Sequence, residues 1–369
     1  MERILQVGPD VISDESDCYV IAEVGHNHQG NLQTARELAR QAKECGASAI
    51  KLQKRDNRSL YTRATFDKPY DNENSFGPTY GLHREALEFG IDEYRELQRY
   101  CHEIGITFLA TAFDFASADF LAALDIAAFK IASGDLRNLP LLQHVARFGK
   151  PMFVSTGGGT LEDVQRAYDA LMPINPRLCL MQCTMGYPAD WGELDLEVIR
   201  TYRRRFPGTV VGYSGHDNGI AMAVVAYVLG ARVVEKHFTL NRAMKGTDHK
   251  FSLEPVGMRK MVRDLRRVRI ALGDGVKKFW PSEREAVYKM GKKLVASRDL
   301  RAGHALTLGD IAIKSPGDGL PPCELERVLG KVTLRDLAAD ENIALEVLAD
   351  PAEAQVEESV RANRGWMAT

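Results

Sequence analysis

The chain has 369 residues, 45% of them hydrophobic and 27% charged, enough for one large domain and a small one. Its formal net charge of -2 gives no overall basic field for nucleic acid or an anionic membrane surface, and no apolar run approaches the ~20 residues of a membrane-spanning helix. The N-terminal stretch MERILQVGPDVISDESD carries acids and no long apolar segment, so no secretion signal is expected, and the cysteines at 18, 45, 101, 179, 183 and 323 include no CxxC pair, which fits a reduced, cytoplasmic protein.

In chain order, short β-branched runs alternate with longer segments of helical periodicity. Strands are expected at 19–25 (YVIAEVG), 48–54 (SAIKLQK), 106–111 (ITFLAT), 126–133 (IAAFKIAS), 151–156 (PMFVST), 178–184 (LCLMQCT), 209–214 (TVVGYS) and 232–238 (RVVEKHF). Each precedes a stretch with apolar residues three and four apart, from NLQTARELARQAKECG after the first to VGMRKMVRDLRRVRIALG after the last. Several of these stretches end in glycine, as a helix C-terminal cap does. Eight such units within about 250 residues favour an α/β fold of the (β/α)8 type, a TIM barrel over 1–273, rather than a doubly wound sheet.

The alternation is interrupted at 54–91, a long polar and aromatic stretch after the second strand whose position favours a substrate lid. Residues 274–290 read as a polar linker. In the small domain at 291–350, RDLRAGHALTLGDI (298–311) recurs loosely as RDLAADENIALEVL (335–348), which predicts a pseudo-symmetric unit. The last residues, 351–369, are expected to form a flexible tail.

Polar residues at the C-terminal ends of barrel strands line the mouth of a TIM barrel. Here those ends carry Glu23, Lys51, Lys130, Ser133, Ser155, Thr156, Thr184, Ser214, His216, Glu235 and His237. With a side-chain period of two, Glu235 and His237 share a face and Lys236 points the other way. A single Lys or Glu in a strand can equally be a buried structural ion pair, and a lone histidine a hydrogen-bonded core residue. Their joint placement at one end of the strands distinguishes a site from coincidence. Two lysines and several hydroxyls suit an anionic, phosphate-bearing ligand. The glycines of STGGGT (155–160) are a candidate backbone cradle for an anion. His216 and His237, from neighbouring strands, are candidate ligands of one divalent metal in a labile, open site, Mn2+ or Mg2+. Carboxylates beside an open metal position can move protons, and the set as a whole favours addition of an enol-type donor to an aldehyde.

IAEVGHNHQGNLQTARELARQAKECGASAIKLQ, FKIASGD, STGGG, CTMGYP, GYSGHDNG and VVEKHFTLNRAMKGTDHKFSLEP resemble, in order, the motifs of the sialic acid (N-acetylneuraminate) synthases, and the small domain resembles their antifreeze-like SAF domain. The resemblance covers about residues 15–350. It implies condensation of phosphoenolpyruvate with an N-acylmannosamine-like aldose to a 3-deoxy-2-ulosonic acid, with release of phosphate. It assigns Lys51, Lys130, Ser133, Ser155 and Ser214 to phosphoenolpyruvate, with Thr111 nearby, and Asn74, Tyr187 and Asp248 to the sugar. The metal falls to His216 and His237, and water and the developing cation to Glu23 and Glu235. It also implies a homodimer in which the small domain caps the partner's barrel, a reach of up to ~55 Å that an extended connector of this length permits.

Three positions depart from the family pattern. Asp135, the candidate acid of the strand-four motif, stands where Glu is common; Met185 stands where Ser or Asn is usual; and Ser315 replaces an Arg associated with the sugar's N-acetyl group. A hydroxyl-bearing or differently acylated sugar then becomes credible, with His26 and Arg55 adjusting the same pocket. The rival readings are a metal-dependent barrel aldolase or sugar isomerase that does not use phosphoenolpyruvate, and a carbohydrate- or ice-binding protein in which the small domain is the working part.

Overall fold

Alternation of side chains along each strand decides the architecture. The computed structural model describes residues 2–353. It begins with a two-stranded antiparallel hairpin, β1 (Ile4–Val7) and β2 (Asp10–Ser13), followed by β3 (Tyr19–Gly25), β4 (Ala49–Lys54), β5 (Thr107–Ala112), β6 (Phe129–Ile131), β7 (Met152–Ser155), β8 (Leu178–Cys183), β9 (Val210–Gly215) and β10 (Val233–His237). Strands β3 to β10 are parallel neighbours in sequence order, and β10 pairs back onto β3, closing the expected barrel. Val20, Ala22 and Val24 of β3 and Val234 of β10 belong to the apolar layer under the helices. The intervening Tyr19, Ile21 and Val233 join Leu109, Phe153, Cys179 and Met181 in a second, inner cluster. The same alternation carried further along each strand turns Glu23, Lys51, Lys130, Glu235 and His237 inward. Apolar residues fill one end of the barrel and ionisable ones the other.

The hairpin was not anticipated. Its strands are too short for a periodicity signal, in a segment noted only for its acids and its lack of a long apolar run. Gly8, at φ +55°, makes the turn. Leu5, Val7 and Ile12 pack into the inner cluster at the N-terminal ends of the strands. They cover that end of the barrel, opposite the polar cavity.

Eight helices follow the eight strands: Leu32–Glu44, Ile91–Ile104, Phe115–Ala123, Leu139–Ala146, Leu161–Leu171, Val198–Arg205, Ala221–Leu229 and Pro255–Leu272. The first shows the local logic. Asn31 caps it by accepting from the Thr34 N–H at 2.9 Å, and Ala35, Leu38, Ala39 and Ala42 form its buried stripe. The interruption after β4 is more ordered than a loop. It holds three short helices, Asn57–Leu60, Arg63–Phe66 and Tyr80–Glu85, capped by Asp56, Thr62 and Thr79. Helices of four to six residues leave no readable period.

The chain divides into two compact units, the first ending at Asp274 and the second beginning at Gly275. Residues 274–290, read as a linker, are partly helical at Arg284–Met290. The second unit pairs β11 (Lys293–Ala296) with β12 (Ile311–Lys314), and β13 (Val332–Thr333) with β14 (Leu348–Ala349). The sequence repeat is a structural one. Leu300 and Leu337 exchange both backbone hydrogen bonds, at 2.8 and 2.9 Å, and the bond from Gly303 N–H to Thr333 O recurs between Asp340 N–H and Ala296 O. Both repeat partners Leu306 and Ile343 are buried in one small core. Of the expected tail, 354–369 lies outside the described residues. No described helix is long and apolar enough to cross a membrane.

Candidate active site

Strand register builds the site. Lys51 lies beside Glu23, Glu23 beside His237, Glu235 beside Ser214, and Lys130 beside Thr111. These groups line one cavity of about 670 Å³ at the C-terminal ends of the strands. Lys51 Nζ lies 2.6 Å from Glu23 Oε2, 2.8 Å from Thr111 Oγ1 and 3.5 Å from Glu235 Oε1. Lys130 Nζ donates to Ser155 Oγ at 2.6 Å and lies 4.0 Å from Glu235 Oε1, which is also 3.4 Å from Ser214 Oγ.

Burial and charge drive the two carboxylates in opposite directions. Burial pushes the Glu23 carboxyl above its ordinary range, although Lys51 opposes it. Burial acts the same way on Glu235, but the ammonium groups of Lys130 and Lys51 outweigh it and hold that carboxyl low. Lys51, despite burial, is held above its ordinary value by Glu23 and Glu235, whereas burial prevails at Lys130 and lowers it. Two carboxylates with diverging proton affinities in one cavity can take separate roles, one exchanging protons and one staying anionic.

The two imidazoles stand together, with ring centroids 5.4 Å apart. His216 Nδ1–H donates to the Thr184 carbonyl at 2.8 Å, which leaves Nε2 as the ring nitrogen open to a ligand. His237 is driven down to about 4, chiefly by burial, and so is neutral, and its Nδ1 has no hydrogen-bond partner. The Asp248 carboxylate lies beyond hydrogen-bond reach of it, with Oδ2 3.8 Å away. Two buried imidazoles side by side, one of them neutral and without a partner at Nδ1, fit a divalent metal. Among the described residues no cluster of three or more His, Cys, Asp or Glu is arranged to hold a metal. The chain therefore offers two imidazoles, and water or substrate must complete the shell.

Of the residues singled out from sequence, Glu23, Lys51, Asn74, Thr111, Lys130, Ser133, Ser155, Tyr187, Ser214, His216, Glu235, His237 and Asp248 all line the cavity. Asp135 does not; it turns aside to accept from Asn138 Nδ2 at 3.0 Å, near the start of a helix. The glycine cradle also differs from expectation. The Gly157 N–H is already taken by Ser133 Oγ at 3.0 Å, and the Gly159 N–H by the Thr156 carbonyl. Lys236 points away, as the period of two requires, and is neutralised by Asp217 at 2.9 Å. Asn74 works through the backbone as well, accepting from the Gly246 N–H at 3.0 Å and tying the long excursion to the segment after β10. In the second unit, Ser315 Oγ donates to the Gly291 carbonyl at 2.9 Å and accepts from Lys292 Nζ.

Sequence reasoning passed over Gln53, Arg84 and Phe251, which line the cavity too. Gln53 was legible: it follows Lys51 by two on β4 and so shares its face. Its Nε2 donates to Glu23 Oε1 at 2.7 Å. Arg84 comes from a helix too short to read, and Phe251, 4.8 Å from His237, from irregular chain.

Behind the mouth, His28 is fully buried, stacked 4.1 Å from Phe89, with Nδ1 accepting from the Gly30 N–H. Burial first, then His26, pushes it down to about 3. The unfolded chain, at about 6.5, then binds a proton that the folded chain refuses. Stability contributed by this residue is present above about pH 6.5 and is lost as pH falls below it, at about 1.4 kcal/mol per pH unit. Urea unfolding at pH 7 and pH 5 should therefore show a loss about 2 kcal/mol greater in the wild type than in His28→Gln. Equal losses would contradict the assignment.

A family model described as the NeuB family matches residues 38–277, more than half of the chain, and a SAF domain model matches 293–346. The chain belongs to the NeuB family. N-acetylneuraminate-9-phosphate synthase of Homo sapiens is 40% identical over 91% of this chain and 94% of its own length. N,N'-diacetyllegionaminic acid synthase of Campylobacter jejuni is 34% identical over 88% of this chain and 98% of its own. The solved N-acetylneuraminic acid synthetase of Leptospira borgpetersenii superposes with a TM-score of 0.68 at 28% identity, covering 78% of this chain and 96% of that one. As a NeuB member the chain is an enzyme of the synthase type, which sets aside the reading as a binding protein on a retired barrel.

Proposed function

We propose that the enzyme condenses phosphoenolpyruvate with an aldose and water to give a sialic-acid-like 3-deoxy-2-ulosonic acid and inorganic phosphate. The observation that carries this is the convergence of Lys51, Lys130, Glu23, Glu235, His216 and His237 on one cavity. Lys130 with Ser155, and Lys51 with Thr111, form two ammonium–hydroxyl pairs that suit the phosphate and carboxylate of the donor. A divalent metal held by His216 and His237 would polarise the acceptor's carbonyl. The donor's methylene carbon attacks that carbonyl carbon, and the adjacent donor carbon becomes cationic. Glu235, held anionic, faces this developing charge. Glu23, the more basic carboxylate, takes a proton from the water that adds to the same carbon. That proton passes to the alkoxide oxygen formed from the acceptor's carbonyl, and the hydroxyl added to the donor carbon gives its own proton to the departing phosphate as the ketone forms.

A homodimer in which the small domain caps the partner's barrel is part of this reading. It is supported by the exposed Phe279, Trp280, Tyr288 and Met290, an apolar set that a second copy would cover. Six free cysteines support a reducing, cytoplasmic setting. The test is phosphate release from phosphoenolpyruvate with Mn2+ and a panel of aldoses. Release that depends on both aldose and metal is expected. Carbon–carbon bond cleavage or isomerisation of a sugar without phosphoenolpyruvate would favour an aldolase or isomerase instead.

A further inference from the structure

The chain neutralises most of its buried cations. Lys51 has Glu23 at 2.6 Å and Lys236 has Asp217 at 2.9 Å, and the half-buried Lys54 has Glu88 at 3.0 Å. Arg55 and Arg84, which both line the cavity, are ion-paired to no carboxylate among the described residues. Arg55 is only 7% exposed. Its Nη2 donates to Gln53 Oε1 at 2.7 Å, its plane lies 3.7 Å over the Phe113 ring, and its Nε has no hydrogen-bond partner. Its Nη1 lies 3.4 Å from His26 Nε2, but that nitrogen is also 3.3 Å from Glu88 Oε1. A neutral imidazole accepts at one ring nitrogen only, so His26 can take a bond from Arg55 or from Arg84 but not from both, and Glu88 Oε1 has no hydrogen-bond partner. The other ring nitrogen, Nδ1, is 3.3 Å from Arg84 Nη1, and the remaining Arg84 donors reach the Tyr80 hydroxyl at 3.1 and 3.2 Å. A buried guanidinium and a half-buried one thus flank a single imidazole with donors to spare, a costly arrangement for Arg55 above all unless an anion completes it.

Resting on the synthase reading above, we propose that the acceptor is a sugar phosphate and that Arg55 and Arg84 receive its phosphoryl group. The arginines sit on the β4 side of the mouth, whereas Lys130 and Ser155 come from β6 and β7. Gln53 bridges the two regions, bonding to Arg55 on one side and Glu23 on the other, both at 2.7 Å. An acceptor with its carbonyl near Glu23 and His237 extends along this bridge to the guanidiniums. Neutral sugar hydroxyls bring no charge to match two arginines. A phosphate ester brings a dianion and three acceptor oxygens in the geometry that guanidinium forks favour.

The test uses the full-length protein with Mn2+, phosphoenolpyruvate and two acceptor pairs: N-acetylmannosamine and its 6-phosphate, and mannose and its 6-phosphate. The phosphorylated member of a pair should be preferred about 100-fold in kcat/KM. That preference should fall about tenfold in Arg84→Gln and in Arg55→Gln, and recover in part in Arg84→Lys. Equal use of both members, a preference intact in the variants, or a raised KM for phosphoenolpyruvate in place of lost preference would overturn the proposal. Arg84 lies at the cavity mouth, so its variants remain informative if Arg55→Gln does not fold. Calorimetric titration of mannose 6-phosphate in saturating phosphoenolpyruvate separates the two ideas. Binding that weakens in Arg84→Gln, with no acceptor supporting phosphate release, would sink the synthase reading and uphold the anion site; no binding to the wild type would overturn the site.

Discussion

His237→Ala is expected to lower kcat by about three orders of magnitude and to weaken Mn2+ binding by about 100-fold or more, with folding nearly unchanged. The imidazole is buried, neutral and without a hydrogen-bond partner at Nδ1, so the fold loses little polar bonding when it is removed. The cost to folding is the space left beside Phe251 and Tyr187, about 1–2 kcal/mol in a partly open cavity. The cost to function is larger, because the chain supplies only two imidazoles and this is one of them. Measurement of Mn2+ affinity, steady-state rate and urea unfolding on the same preparation separates the effects. Undiminished metal-dependent turnover in the variant would refute the ligand assignment, and a large fall in stability would reassign His237 to a structural role.

Glu235→Gln is expected to cut kcat by about 10²- to 10³-fold while the KM for phosphoenolpyruvate holds or falls. The carboxylate is 3.5 Å from Lys51 and 4.0 Å from Lys130, so neutralising it strengthens the positive field that an anionic donor meets. The same change removes the negative charge facing the carbon that becomes cationic after bond formation. Ground-state binding and the reaction step therefore move in opposite directions, a split that a merely structural carboxylate does not produce. A raised KM at unchanged kcat would place Glu235 in donor binding alone.

The fold was legible wherever hydrophobic pattern ran long enough. All eight barrel strands and their helices fall at the expected segments, because a parallel strand buried on both faces reads as a short apolar run bounded by helix periodicity. The inward set was legible for a related reason: ionisable residues recur at the same end of one strand after another, as in VVEKHF, and it is their joint placement that separates a site from single buried ion pairs. Period two also separated Lys236, which pairs with Asp217, from Glu235 and His237. What escaped was short or irregular. The β1–β2 hairpin has four-residue strands, and Arg84 rides on a six-residue helix. Asp135 was misplaced because it leaves the strand, in a 3-10 turn after β6, where alternation no longer fixes direction. Gly157 and Gly159 are not free to cradle an anion because their N–H groups are satisfied internally, which composition does not reveal.

The central claim is that one cavity holds the phosphorylated donor and the metal side by side. Crystals soaked with Mn2+ and phosphoenolpyruvate test it most directly. The account predicts an anomalous manganese peak between the imidazoles of His216 and His237, and the donor's phosphate and carboxylate divided between the Lys130–Ser155 and Lys51–Thr111 pairs. Manganese bound elsewhere, or a donor lodged away from both lysines, would contradict it.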